Sequence, residues 1–398
     1  MRMRLRITVI TPVFPTSESP HRGIYIYNTV RSLQRHADVS VVCSSINYSL
    51  LSAGRSNASG VRQTNSKGSP EEIDVRHVNY PGLPVITRPL NSISCRLAIE
   101  SHVKSLEPDL ILAFWTHPEG YAALKIGRRL NVPVIVGAIG SDVLLSKGVG
   151  RYLTMRAVTQ ADRVLTVSED LRAAAISMGA SAERVKTISN GCDPAVFYPR
   201  DRAACRAKLG IDPGARLVLF VGWLAPLKGL PELIAAFSRV RREFATAELV
   251  CIGEGPLKQS LSETAPGIGI RALGGKTSIE IADWLGACDL LCLPSHSEGC
   301  PNVVVEALTS GRAVVATQVG GIPELVDRNS GILLPFGDSS KLSSAICEAL
   351  RRNWDEAAIA ARMSRSWDHV ADETYGVCLE VLAERNRPAR VPAALAVL

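Results

Sequence analysis

Pro294-Ser-His-Ser-Glu-Gly-Cys-Pro-Asn-Val-Val-Val-Glu-Ala-Leu308 directly follows a short apolar run, Leu290-Leu-Cys-Leu293. The run predicts a buried strand. The loop after it is rich in small and polar residues, and Pro301, suited to a first helical turn, predicts a helix over Pro301–Thr309. In a strand–loop–helix unit of this kind the N–H groups of Gly299, Cys300, Asn302 and Val303 are left without helical acceptors, which makes a ready seat for a diphosphate. Glu306 lies one turn further in, where a carboxylate can accept two hydroxyl protons from a ribose. Glu298, before the helix, can do the same for a sugar. The same spacing also fits two surface glutamates on an ordinary strand–loop–helix.

Outward from this stretch, the pattern repeats. Leu217–Val221, Glu248–Ile252, Ala313–Ala316 and Gly331–Leu334 read as further strands. Helices are expected over Pro231–Glu243, Ile279–Ala287 and Ser339–Arg352. The first half alternates in the same way, with strands at Ile7–Ile10, Val39–Cys43, Leu110–Ala113, Val132–Val136 and Val164–Val167, and helices at Ile24–Gln34 and Gly120–Leu130. Wholly apolar strands alternating with helices predict parallel sheets covered on both faces. The chain has 398 residues, 46% of them apolar, enough for two cores. The expected architecture is therefore two doubly wound, Rossmann-like α/β domains facing each other across a cleft. Their boundaries are placed at 1–195 and 196–373, around the break at Ser189-Asn-Gly-Cys-Asp-Pro194. A helical tail over 374–398, with its helix at about Thr374–Asn386, is expected to cross back to the first domain. Residues 44–74 read as a long mobile loop, and Pro388–Leu398 as a frayed end.

A second loop, Phe220-Val-Gly-Trp-Leu-Ala-Pro-Leu-Lys-Gly-Leu230, follows the first strand of the second half. Gly222 lets the backbone approach a ligand. Lys228, just before a helix, is placed either to neutralise a leaving diphosphate or as a solvated lysine on a turn.

Composition narrows the function classes. No run of about 18 apolar residues occurs, so no spanning helix is expected. The basic start Met1–Arg6 precedes an apolar stretch of strand length, too short for a signal peptide, and a cytoplasmic protein is expected. The ten cysteines are scattered, without CxxC pairs or clustered histidines, against both a disulfide framework and a zinc site. The Asn-x-Ser sites at Asn47 and Asn57 then carry no glycan. Residues 1–199 hold 23 Lys+Arg against 15 Asp+Glu, and residues 200–398 hold 22 against 23. A basic first half fits an anionic membrane surface or a phosphorylated lipid, and fits a merely solvated surface equally well. Nucleic acid is not expected, because the cations are dispersed and few aromatics lie among them.

Together these loops resemble family 4 of the retaining glycosyltransferases, which have the GT-B fold, over nearly the whole chain. Glu298…Glu306 looks like that family's Glu-x7-Glu motif, and Ile252-Gly-Glu-Gly-Pro256, with Gly253, like the loop beside the nucleotide base. Asn190-Gly-Cys-Asp193…Phe197 resembles the interdomain linker, and Gly320-Gly-Ile-Pro-Glu324 the turn that follows. Phe14-Pro…Pro20-His-Arg-Gly-Ile-Tyr25 resembles the glycine loop of the first domain, with Gly23 the residue carried over. Pro118-Glu-Gly-Tyr-Ala-Ala123 and Gly140-Ser-Asp142 look like the subgroup that builds bacterial exopolysaccharide and cell-wall polymers, teichuronic acid among them.

The resemblance implies a UDP- or GDP-sugar as co-substrate, with Glu298 on the donor sugar, Glu306 on the ribose and Lys228 on the diphosphate. It implies a glycan or lipid-linked acceptor at His117, Ser141 and Asp142, with Lys228, Glu298 and His117 as the catalytic set. No Asp-x-Asp motif occurs, and neither a metal nor a further cofactor is expected. Three positions depart from the family's habit: Trp223 stands where an arginine is usual, Phe114 where a histidine is common, and Ile139 where the residue is often basic. A nucleotide-sugar epimerase and a non-catalytic sugar-nucleotide-binding relic are the alternatives at this level. A dehydrogenase is disfavoured, since no G-x-G-x-x-G follows the first strand.

Overall fold

The structure is a computed structural model that describes residues 4–19, 22–47, 73–82, 90–144, 146–264 and 269–385. Much of the expected 44–74 loop, Asn57, Pro20, His21, the Ser141 side chain and the expected frayed end lie outside the described residues.

Two parallel sheets form the frame. The first has the order β3-β2-β1-β4-β5-β6-β7, from β1 (Arg6–Thr11), β2 (Asp38–Asn47), β3 (Asp74–Pro81), β4 (Leu110–Phe114), β5 (Val134–Ala138), β6 (Arg163–Thr166) and β7 (Val185–Thr187). The second has the order β10-β9-β8-β11-β12-β13, from β8 (Arg216–Val221), β9 (Ala247–Ile252), β10 (Ile270–Ala272), β11 (Leu290–Leu293), β12 (Ala313–Thr317) and β13 (Gly331–Leu334). The central strands are buried end to end, as in Leu290–Leu293 and Ala313–Thr317, which is why they read as unbroken apolar runs.

Helices cover both sheets. In the first half they are α1 (Ile24–Leu33), α2 (Asn91–Ser105), α3 (Tyr121–Leu130), α4 (Ser141–Leu144), α5 (Gly148–Gln160) and α6 (Glu169–Ser177). In the second they are α7 (Arg202–Leu209), α8 (Leu230–Glu243), α9 (Lys258–Thr264), α10 (Ser278–Ala287), α11 (Asn302–Thr309), α12 (Ile322–Leu325), α13 (Ser339–Arg351) and α14 (Glu356–Ala361). The strand order reverses between β1 and β4 and again between β8 and β11. Loops at such switch points, at the carboxyl ends of the strands, are where ligands bind in sheets of this class.

Three expectations need correcting. Residues 44–47 continue β2 instead of opening a loop. Pro301 does not open α11; its ψ of 117° is extended, so it caps the helix and Asn302 is the first helical residue. The final helix, α15 (Trp367–Arg385), begins seven residues before the expected Thr374.

That last helix belongs to the first sheet's core. Trp367, Val370, Ala371, Val377, Cys378 and Val381 are buried among Ile26, Val30 and Leu33 of α1 and the β1 residues Ile7 and Val9. Each large apolar side chain so buried contributes about 1.5–3 kcal/mol before ordering costs, ample to hold the helix there. The chain thus passes between the two sheets twice, and the passages are bonded together. Cys192 N–H donates to Arg365 O at 2.9 Å, and Arg365 Nε donates to Ser189 O at 2.9 Å. The Arg365 guanidinium is in turn held by both oxygens of Glu373, at 2.8 and 2.7 Å.

Candidate functional site

Three loops at the carboxyl ends of β8, β9 and β11 converge. After β8, Gly222 N–H donates to Ile252 O at 2.9 Å and Leu224 N–H to Glu254 O at 2.7 Å, zipping this loop onto the one after β9. The fit requires glycine at 253: its φ is +145°, and a Cβ there would fall 1.9 Å from Gly222 O. His296 N–H donates to Leu227 O at 3.0 Å, tying the first loop to the third.

This zipping brings Lys228 to Glu298, Nζ to Oε1 at 2.6 Å, with the glutamate side chain only 10% exposed. Directly after Glu298 in the chain, the Gly299, Cys300, Asn302 and Val303 N–H groups donate to no backbone carbonyl or side chain among the described residues. Asn302 and Cys300 are positioned from the linker: Asn190 Nδ2 donates to Cys300 O at 2.9 Å and to Asn302 Oδ1 at 2.8 Å. Burial pushes the Cys300 thiol up to about 11, so it is a neutral packing group.

Glu306, one turn into α11, has no hydrogen-bond partner among the described residues. The residue is half-buried, and its carboxyl lies far enough inside the protein at the start of the helix to be desolvated. The enclosure pushes it up to about 7. The expected donor residues Gly222, Lys228, Gly253, Glu298, Gly299, Cys300, Asn302, Val303 and Glu306 therefore lie on three joined loops and the first turns of α11.

The first domain touches the last of these loops. A Cβ on Gly299 would lie 2.5 Å from Ile139 O, and one on Gly140 would lie 4.0 Å from Gly299 N, so the loop after β5 touches the loop after β11. Gly23, at φ +76° just before α1, packs its bare face on Val13 O, where a Cβ would come within 2.8 Å.

The expected acceptor residues divide. His117 is half-buried in the kinked segment Thr116–Gly120 between β4 and α3, its own backbone extended at φ −150° and ψ 133°. Asp142 is buried, and its oxygens accept Thr116 N–H and Gly140 N–H, both at 2.9 Å. Burial raises its pKa against those two hydrogen bonds. It therefore ties the two loops together. Ser141 begins α4. Phe114, where the family commonly has histidine, packs in the core with its ring beneath Gly137. Trp223 is exposed on the β8 loop at 58%.

Sequence reasoning quoted but did not assign Glu119. Its carboxyl is fully buried and accepts from Ser44 Oγ at 3.1 Å and Tyr80 Oη at 3.3 Å, both on Oε1, while Oε2 has no partner. Burial pushes it up to about 7 despite those hydrogen bonds. The signal was present: a charged residue inside Pro118-Glu-Gly, immediately after a buried strand. Among the described residues no cluster of three His, Cys, Asp or Glu side chains is arranged to hold a metal ion. No helix among them is long and apolar enough to cross a membrane.

Comparison with known proteins extends this picture. The family described as "Glycosyltransferase Family 4" matches residues 22–196, and "Glycosyl transferases group 1" matches residues 215–352. TuaC of Bacillus subtilis, named for teichuronic acid biosynthesis as a glycosyltransferase, is 28% identical over 87% of this chain and 89% of its own length. The D-inositol 3-phosphate glycosyltransferase of Segniliparus rotundus is 33% identical over 48% of this chain, which spans about half (46%) of that relative. Anabaena HepE, solved in complex with UDP and glucose, superposes with a TM-score of 0.71 at 19% identity, over 95% of this chain and 100% of that one. Sucrose-phosphate synthase from Thermosynechococcus elongatus does so at 0.74 and 18%, over 96% and 100%. These two structural likenesses bear on the fold, which is GT-B. With both halves matched in order and the motif residues of the second half carried on adjoining loops, the chain belongs to glycosyltransferase family 4.

Proposed function

We propose that this glycosyltransferase is retaining and moves a hexose-type sugar from a UDP- or GDP-sugar onto a glycan or lipid-linked acceptor, in the building of an envelope polysaccharide. One set of observations supports the reading: among the described residues the N–H groups of Gly299, Cys300, Asn302 and Val303 have no acceptor, the residue before them, Glu298, is paired with Lys228, and the Glu306 carboxyl one turn into α11 has no partner. A nucleotide diphosphate sugar satisfies all three at once, diphosphate on the N–H groups and Lys228, ribose diol on Glu306, sugar hydroxyls on Glu298.

In this mechanism the bond from the anomeric carbon to the diphosphate oxygen breaks. The developing charge is stabilised by Lys228 and the amino end of α11. The acceptor hydroxyl attacks from the same face, forming the new carbon–oxygen bond, and its proton passes to the departing diphosphate. His117 lines the acceptor side, on the loop that Asp142 holds, and no metal is needed. The alternatives, a nucleotide-sugar epimerase or a binding relic, lack a specific observation in their favour.

The name of TuaC and the UDP complexes of HepE support a wall-polymer acceptor and a UDP-sugar donor. The basic first half supports an anionic or lipid-linked acceptor. At the start of α5, Lys147, Val149, Arg151 and Tyr152 are exposed together, a basic and apolar mixture suited to the inner face of a cytoplasmic membrane.

A thermal-shift panel of UDP, GDP, ADP and their sugars tests the donor. A ligand present at 100 times its dissociation constant adds about 2.7 kcal/mol and is readily seen. Proton NMR of the product then reads the anomeric configuration. The reading fails if no nucleotide shifts the melting curve.

A further inference from the structure

We propose that Glu324 is a positioning residue: it fastens the first domain onto the donor domain and so holds the diphosphate loop in register, a role that rests on the donor-site reading above. Glu324 belongs to α12, after β12 of the second sheet. Its carboxylate accepts Glu169 N–H at 2.9 and 3.0 Å, one to each oxygen, and Asp170 N–H at 3.3 Å. Those N–H groups open α6, a helix of the first domain. The helix's own cap, Ser168 Oγ, accepts only Leu171 N–H, at 3.3 Å. Half of the cap on α6 thus comes from the other domain, and a carboxylate there also sits at the positive end of the helix.

The turn that carries Glu324 is also the floor of the diphosphate loop. Gly321 N–H donates to Gly299 O at 2.8 Å. A Cβ on Gly320 would fall 1.8 Å from Glu298 O, and one on Gly321 would meet Gly299 O at 2.4 Å and Ser168 Cβ at 2.7 Å. Movement of α6 relative to the second domain therefore pulls on the residues that hold Glu298 and Gly299. The glutamate is solvent-exposed, so core packing does not account for its reaching the other domain. Domain closure and assembly of the phosphate seat become one event.

All ten native cysteines are buried, so Ser177→Cys on α6 and Ser344→Cys on α13, both at exposed positions, allow selective spin labelling of the two domains. Interdomain distances are read in the free protein and with UDP added. Glu324→Ala should raise the widely separated population about 10-fold. Glu324→Gln, which keeps a carbonyl acceptor, should recover most of the closed population. Glu169→Pro removes one donor at the first helical position, where proline is tolerated, and Ser168 before it is already extended, so the helix stays intact. It should widen the distances as Glu324→Ala does, with little further effect when the two are combined.

Unchanged distances in both Glu324→Ala and Glu169→Pro overturn the proposal even if the enzyme is active. Widened distances in the two variants, in a protein whose wild type binds no nucleotide and turns over no donor, leave the fastening intact and sink the proposed function instead.

Discussion

The ammonium of Lys228 and the carboxylate of Glu298 neutralise each other at 2.6 Å across two different strand-end loops. On the proposed donor reading, an incoming diphosphate would compete with Glu298 for the lysine and free Glu298 toward the sugar. Lys228→Ala should therefore lower turnover by roughly 100-fold or more, the scale of removing a charge-stabilising donor. Steady-state donor consumption measures it, and unchanged turnover would remove Lys228 from the mechanism.

Glu306 predicts a pH dependence of donor binding. Its pKa stands at about 7 because its enclosure disfavours the charge, whereas a ribose diol donating two hydrogen bonds favours it. Nucleotide affinity should rise as pH increases through 7, with proton release on binding. Glu306→Gln should flatten that profile and weaken binding about 10-fold at pH 8, losing a charge-assisted contact. Calorimetry between pH 6 and 8 decides the matter, a flat wild-type profile counting against this role.

Glu119 predicts a pH dependence of stability. A carboxyl at about 7 in the folded chain and about 4.3 unfolded holds its proton better when folded. Its contribution is fully present below the unfolded value and lost as pH rises through 7. Glu119→Gln mimics the protonated form at every pH. Relative to wild type it should gain on the order of 1 kcal/mol or more between pH 5 and 8, a few degrees in Tm. Melting curves at several pH values test this, and a difference that does not change with pH would refute it.

Gly253→Ala should damage the donor site through geometry alone. The new methyl would overlap Gly222 O, and φ +145° is strained for alanine. A loss of about 1–3 kcal/mol and weakened nucleotide binding are expected. Gly150→Ala, inside α5 with nothing within 4 Å of the added atom, is the control and should be neutral or stabilising. Equal melting temperatures for the two variants would contradict the close-packed loop.

The strands of the central sheets were legible because burial on both faces leaves them mostly apolar, with few polar residues such as Thr8 among them. β3 was not, since Arg76, His77 and Asn79 alternate with apolar residues at the sheet's edge. α2 and α5 were missed because their apolar residues do not gather into one clear stripe. Lys228, Glu298 and Glu306 were legible because each lies close in sequence to a strand end or helix start. Glu119 and Glu324 were quoted but unexplained, because the groups that define them lie far along the chain: Ser44 is 75 residues away and Glu169 155. Such partnerships are a product of tertiary assembly, invisible to local pattern.

Because α15 completes the hydrophobic interior of the unit built from the chain's beginning, the two halves are not interchangeable cassettes. A chimera cut at residue 196 would give the first half a foreign closing helix, leaving Ile26, Val30 and Leu33 uncovered or mismatched. Swapping donor specificity between relatives therefore calls for two splice points, one near Cys192 and one near Ser366, where the passages already lie side by side. Evolution of new donor preferences faces the same geometry, and recombination should leave the terminal helix with the partner it packs against.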